Sequence, residues 1–224
     1  MSRLNISRKN LPWIVILFVL LLDQTSKVIV KTQMTLGQNI QVIGDWFNIY
    51  FIENEGMAFG MQFSGEYGKL ILSIFRIIAV IFIGWYIHKL VLQKAHRGLI
   101  VCVSLIMAGA LGNILDSAFY GLLFSESYFS QTAEFLPEDG GYATFLHGRV
   151  VDMLYFPIIR SNFPEWFPFR GGQEFIFFRP VFNLADSAIT TGVLILLVFQ
   201  KKFFDSVKKT EPNETEEKAS QTAA

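Results

Sequence analysis

The sequence predicts a membrane protein, mainly α, with four transmembrane helices and short strands and loops on one side of them. Three observations carry this. Four apolar windows, at about 11–30, 70–92, 98–123 and 182–199, each approach the roughly 20 residues that a hydrocarbon core requires. Lys and Arg are unevenly shared among the segments between those windows. Acidic and amide side chains stand inside or beside the windows, where carboxylates are costly and mark function by default.

Composition agrees. The 224 residues are 52% hydrophobic, more apolar than an ordinary soluble domain, and amount to one domain's worth of chain. A net charge of zero gives no basic footprint, so nucleic acid is not an expected partner. The single Cys102 excludes an internal disulfide.

The first window follows Arg3, Arg8 and Lys9, flanks that also suit a signal peptide. Its apolar part is long and no small-x-small cleavage site follows, so it reads as a retained helix. It ends in Asp23-Gln24-x-x-Lys27. Asp23 and Lys27, four residues apart, can pair on one helix face, and snorkelling toward the interface would lower the cost of their charge. That reading is structural. Residues 40–52 are β-branched and aromatic around Gly44-Asp45, which predicts short strands and a turn. Asn54-x-Gly56-x-Ala58-Phe59 follows. In the second window Arg76 is expected either to snorkel or to turn inward toward Asp116 or its neighbours.

The third window carries Gly109, Asn113 and Asp116 on one helical face. The fourth carries Asn183, Asp186 and Thr190 in the same way, and the two polar faces are expected to turn toward each other. Asn113 and Asn183 could orient carboxylates, bind a substrate backbone, or simply join helices. Between these windows, Pro137, Gly140-Gly141, Pro157, Pro164, Pro168, Gly171-Gly172 and Pro180 predict loops and short elements, and Trp166 with many Phe residues suggests the membrane interface. The expected organisation is a single membrane domain over 1–200, with outer segments 31–69 and 124–181. A disordered tail over 201–224 would follow.

Orientation follows from the bases. Arg3, Arg8 and Lys9 precede the first window, Lys89, Lys94 and Arg97 join the second to the third, and Lys201, Lys202, Lys208 and Lys209 follow the fourth. The positive-inside rule therefore places both termini in the cytoplasm.

Asp152 in Val150-Val151-Asp152 and Asp186 in Phe182-Asn183-x-Ala185-Asp186 have the chemistry of a water-activating pair. Taken alone, Asp152 reads as a solvated loop carboxylate. Asp186 opens an apolar span with no adjacent base. No His-Glu-x-x-His is present, and His88, His96 and His147 are not at ligand spacing and read as surface residues, so a metal site is not expected. A small transporter or channel, with the carboxylates as a proton relay, is the alternative from another class.

Together, and in this order, the motifs resemble the lipoprotein signal peptidase family, signal peptidase II, over about residues 11–200. The resemblance implies a multi-pass aspartyl endopeptidase of the bacterial inner membrane, with its site near the periplasmic face. Such an enzyme removes the signal peptide from prolipoproteins just before the diacylglyceryl-modified cysteine. It implies no cofactor, and as partners prolipoproteins, membrane lipids and globomycin-type inhibitors. Residue by residue it makes Asp152 and Asp186 catalytic. Asn54, Gly56, Asn113, Asp116, Arg149, Asn183 and Ala185 become substrate-binding or supporting residues, with Asn54 and Gly56 on a small outer β-cradle. Two departures stand out. Ser117 occupies the place after Asp116 where the family commonly has Arg. A long stretch also separates Asp116 from Gly148, so the outer loop region is enlarged. That region, 124–147 and 155–181, is expected to touch the membrane surface as a rim or flap, or to be a tolerated insertion.

Overall fold

The computed structural model describes residues 7–54, 66–177 and 180–208. Gly56 and Phe59 lie outside the described residues. The helices are α1 (Leu11–Gln33), α2 (Glu66–Leu92), α3 (Arg97–Leu115), the short α4 (Gly121–Leu123) and α5 (Leu184–Lys208). A π-helical turn, Asp116–Tyr120, links α3 to α4. Among the described residues, four helices are long and apolar enough to cross a membrane: Leu11–Gln33, Ile71–Leu92, Arg97–Leu123 and Leu184–Phe203. The expected mainly helical membrane fold is therefore the observed one.

α1 is amphipathic in the inverted sense. Trp13, Leu17, Phe18 and Leu21 are exposed to where lipid must lie, while Asp23, Lys27 and Lys31 are buried. Those three recur every fourth residue, so they form one stripe along the inward face. Lys27 does not snorkel, in contrast to the sequence expectation: it is fully buried between carboxylates. On α2 the exposed side is likewise apolar, with Ile71, Ile74, Phe75 and Ile78. α3 is the most enclosed helix and packs chiefly on α5 and α1. His96 is no free surface residue: it caps α3, its Nδ1 accepting from the Gly98 N–H at 3.0 Å.

Small residues let α3 and α5 approach. A Cβ placed on Gly109 would lie 2.2 Å from the Ala185 carbonyl oxygen, and one on Gly112 would lie 2.6 Å from Asp23 Oδ2. In an apolar solvent such close packing, rather than hydrophobic exclusion, is what holds helices together. α5 runs past residue 200 to Lys208, so the boundary and the disordered tail expected from 201 are corrected over 201–208. The reason is Phe203, which is buried and packs its ring 5.1 Å from that of His96. Residues 209–224 lie outside the described residues. The fourth span also starts later than its apolar window, because Phe182 belongs to a strand.

Outside the helices lies an antiparallel sheet in the order β1 (Asn39–Ile43), β2 (Phe47–Asn54), β3 (Val150–Tyr155), β6 (Val181–Phe182). The β1–β2 hairpin turns at Gly44, whose φ of 50° suits a residue without a side chain. β2 and β3 pair with Ile52 opposite Asp152 and Asn54 opposite Val150. β4 (Ile159–Asn162) and β5 (Glu174–Phe177) form a separate hairpin. Its tip exposes Trp166 and Phe169.

The stretch 124–148 has little regular structure but is tied down. Leu36 N–H bonds the Tyr128 carbonyl at 3.0 Å, Tyr142 N–H that of Phe124 at 3.1 Å, and Gly148 N–H that of Ser117 at 2.8 Å. Phe124 and Tyr120 join Phe51, Val151 and Met153 in an outer hydrophobic core. A second core, around Leu99, Ile100, Val103 and Phe203, fills the opposite end of the bundle.

Candidate active site

The site begins at the N-terminus of α5. A helix leaves its first backbone N–H groups without partners, and the sequence Asn183-Leu184-Ala185-Asp186 answers that need. Asn183 Oδ1 accepts from the Asp186 N–H at 2.9 Å. Asp23 Oδ1, arriving from α1, accepts from the Ala185 N–H at 2.9 Å. Ala185 is fully buried beneath Gly109 and Gly112, where a larger side chain has no room. Asp186 thus stands in the first turn, at the positive end of the helix dipole, where a carboxylate is favoured.

The Asn183 amide then faces β3. Its Nδ2 donates to Asp152 Oδ1 at 2.7 Å and also lies 3.3 Å from the Val151 carbonyl oxygen. Asn54 Nδ2 approaches the other oxygen, Asp152 Oδ2, at 3.4 Å. From α3, Asn113 Nδ2 donates to Asp186 Oδ1 at 2.9 Å. Asn183 Nδ2 and Asn113 Oδ1 lie 3.2 Å apart. A continuous amide path therefore runs from Asp152 through Asn183 and Asn113 to Asp186. Both amide orientations follow from their neighbours. The Asn183 oxygen must face a backbone donor, and the Asn113 oxygen accepts from Lys27 Nζ at 3.1 Å, so both NH2 groups point at the carboxylates.

Lys27 is the hub behind this path. Besides Asn113 it meets Asp23 Oδ2 at 2.9 Å and Asp116 Oδ2 at 2.8 Å. Its three N–H bonds are thereby all used. Gln24 Nε2 donates to Asp116 Oδ1 at 2.9 Å, and the Val151 N–H approaches Asp116 Oδ2 at 3.3 Å. Asp116 so joins α3 to α1 and to the strand that carries Asp152. Gly148 lets that strand come close, since a Cβ there would lie 2.2 Å from the Asp116 carbonyl oxygen.

Asp152 is 3% exposed. Burial pushes its carboxyl up to about 7, and the nearby charge of Asp186 pushes the same way; Asn54, Lys27 and Asn183 oppose them. Asp152 can therefore hold a proton near neutral pH, beside the Asp186 carboxyl whose charge acts on it.

The structure brings together Asp152, Asp186, Asn54, Asn113, Asn183, Asp116, Asp23 and Lys27. Arg149 stands in a neighbouring network instead. It bonds Glu53 Oε2 at 3.3 Å and pairs with Glu126. Thr190 is exposed, in contrast to the expected inward face. Sequence reasoning missed Lys31, Glu53 and Ser127. Lys31 is fully buried, pairs with Glu53, donates to Ser127 Oγ at 2.8 Å, and lies 4.9 Å from the Tyr142 ring centroid. The one available signal was spacing, since Lys31 continues the stripe of Asp23 and Lys27. Among the described residues, no His, Cys, Asp and Glu group is arranged to hold a metal ion.

Comparison with known proteins agrees with this architecture. The family model described as signal peptidase (SPase) II matches residues 15–202. A lipoprotein signal peptidase of Porphyromonas gingivalis is 48% identical over 211 residues, 92% of this chain and 91% of that one. One from Amoebophilus asiaticus is 37% identical over 203 residues, covering 88% and 81%. A bacterial membrane enzyme solved by the in meso method at 2.3 Å superposes with a TM-score of 0.56 at 26% identity, covering 85% of this chain and 87% of that one. With its four spans, outer sheet and buried carboxylates, the chain belongs to the signal peptidase II family and is a multi-pass membrane protease of lipoprotein processing.

Proposed function

We propose that this protease is an aspartyl endopeptidase. In this reading it cuts prolipoproteins before the diacylglyceryl-modified cysteine, with Asp152 and Asp186 as its catalytic pair. The observation that carries the reading is the amide path Asp152–Asn183–Asn113–Asp186, which sets two carboxyls together at one end of a span. One carboxyl is ionised and the other protonated. The ionised one takes a proton from a water molecule, whose oxygen attacks the scissile carbonyl carbon. The protonated one donates to the carbonyl oxygen as it gains charge. The tetrahedral intermediate then collapses, the C–N bond breaks, and the leaving amine of the cysteine takes a proton from the pair. The products are a signal peptide carboxylate and a lipoprotein with a free N-terminal cysteine.

Asn183 and Asn113 hold the two carboxyl rotamers, and Lys27 holds Asn113. The lipid anchor of the substrate fixes the height of its scissile bond, which replaces part of the orientation entropy of catalysis. The distribution of Lys and Arg supports cytoplasmic termini and a site near the periplasmic face of a bacterial inner membrane. Lipid-modified prolipoproteins and membrane lipids are the partners, and globomycin-type compounds the inhibitors.

The test uses the purified protein in bicelles with a diacylglyceryl-modified prolipoprotein. Mass spectrometry should show one cut, directly before the modified cysteine, that globomycin blocks. Asp152→Asn and Asp186→Asn should each lower turnover by a factor of at least about 1,000 with the fold retained. Robust turnover by either variant would exclude the mechanism.

A further inference from the structure

Resting on the peptidase reading above, we propose that Arg76 on α2 is a positioning residue for catalysis, its guanidinium supplying the positive charge that faces the Asp152–Asp186 pair and keeps one of the two carboxyls ionised.

The placement of this face of α2 is the first support. Ser73 and Arg76 are three apart and share a helix face. Ser73 is buried, and its hydroxyl donates to the Leu146 carbonyl at 3.4 Å. Leu146 in turn bonds the Ala118 carbonyl at 3.4 Å, beside the Gly148–Ser117 bond. The Ser73 side of α2 is thus fastened to the π-helical turn that holds Asp116. Arg76 lies one turn further along that side and is half-buried, whereas its neighbours Ile74, Phe75 and Ile78 are exposed. The carboxylates acting on its charge are Asp186 first, then Asp116 and Asp152. They come from α5, the π-helical turn and β3, so a single guanidinium is in range of three of the elements that build the site.

Charge balance is the second support. Lys27 spends its donors on Asp23, Asp116 and Asn113. A pair of carboxyls sharing one proton keeps one negative charge in a place of low dielectric, where an unbalanced charge is costly. Ser117 brings no charge, and its hydroxyl is used on the Asn113 carbonyl at 3.0 Å. Charged groups near the pair include Asp23 and Lys27 on α1, Arg76 on α2 and Asp116 at the start of the π-helical turn. Arg76 is the cation of that set not already enclosed between Asp23 and Asp116.

The sign is definite. A nearby cation lowers carboxyl pKa values, so its removal raises them and moves the acid limb of the pH–rate profile upward. The experiment measures kcat and KM of the full-length protein in bicelles from pH 4 to 9, on a diacylglyceryl-modified prolipoprotein, for the wild type, Arg76→Gln and Arg76→Lys. Arg76→Gln should raise the acid limb by roughly 1 pH unit and so lower kcat by up to about tenfold on that limb, below about pH 7, with recovery toward neutrality. Arg76→Lys should keep the wild-type limb. An unmoved limb in Arg76→Gln, or a fall in kcat that is uniform across pH, overturns the proposal. Where Arg76→Gln does not fold, Arg76→Lys decides: a wild-type limb with retained turnover supports it, and the loss of turnover overturns it. A wild type that never cuts the prolipoprotein overturns the peptidase reading itself, an outcome distinct from an active wild type with an indifferent Arg76.

Discussion

Asn183 Nδ2 lies 2.7 Å from Asp152 Oδ1, joining the cap of the last helix to the third residue of a strand. The same side chain closes the first turn of α5 on the Asp186 N–H. One asparagine therefore sets the end of a helix and the rotamer of a buried carboxyl. The two tasks are separable. Serine is as good a helix cap as asparagine but is too short to reach Asp152. Asn183→Ser should keep the melting temperature within about 1 °C and lower kcat about 100-fold, whereas Asn183→Ala should lose both, with a stability cost of about 1 kcal/mol, or about 2–4 °C. Thermal melts beside kinetics on a prolipoprotein check this.

The elevated Asp152 carboxyl makes a pH prediction with a definite sign. Its folded value, about 7, lies above the value of 3.8 expected in an unfolded chain. The folded protein therefore binds more protons between those values, and stability falls as pH rises from about 4 to about 7. Asp152→Asn lacks the titrating group, so it should melt a few degrees higher than the wild type at pH 8 and show a flatter pH dependence. On the kinetic side, turnover should decline above about pH 7 as the pair loses its shared proton. Melting curves and rates from pH 4 to 9 measure both.

Lys31 and Glu53 form a buried ion pair that the enlarged outer segment covers through Ser127 and Tyr142. Removing one partner of a buried pair costs about 3–5 kcal/mol, because the other charge is stranded. Lys31→Met should destabilise the protein by an amount at the lower end of that range, since Arg149 still meets Glu53. Lys31→Met combined with Glu53→Leu should recover most of the loss. Deleting 126–143 removes the cover, so the yield of folded protein should fall. A deletion that expresses and melts like the wild type would contradict this account.

Gly109 sets the distance between α3 and α5. Alanine there would bring a Cβ to 2.2 Å from the Ala185 backbone oxygen, which cannot turn aside as a flexible side chain can. The helix must move, and Asp186 moves with it. Gly109→Ala should lower kcat at least about 100-fold, because displacements near 1 Å at a catalytic group have effects of that size. Kinetics with a circular dichroism control for retained helix content decide the matter.

Much of the fold was legible in the chain. Length and hydropathy of a span are local properties, and water and lipid act on them residue by residue, so the four helices appear where the apolar windows stand. The hairpin around Gly44 was readable for the same reason. The buried acids and amides were visible as costly residues in apolar company. The function of each was less so. Asn183 looked like part of a helical face, yet it is the cap that precedes one. Lys31 directly follows the first apolar window, yet it is enclosed by aromatic rings and the Glu53 carboxylate.

What the sequence determined by itself is thus the number of spans, their apolar faces, the short strands and the list of polar groups that had to be hidden. Which of those groups meet was decided only in three dimensions. Asp23 caps a helix that starts far along the chain, Asn113 reaches Asp186, and Asn183 reaches Asp152. Such pairings depend on how far each helix is rotated and how closely it approaches its neighbour. Gly109, Gly112 and Ala185 set that approach by having almost no side chain in the way. The lack of water then forces each hidden polar group to find a partner within the protein.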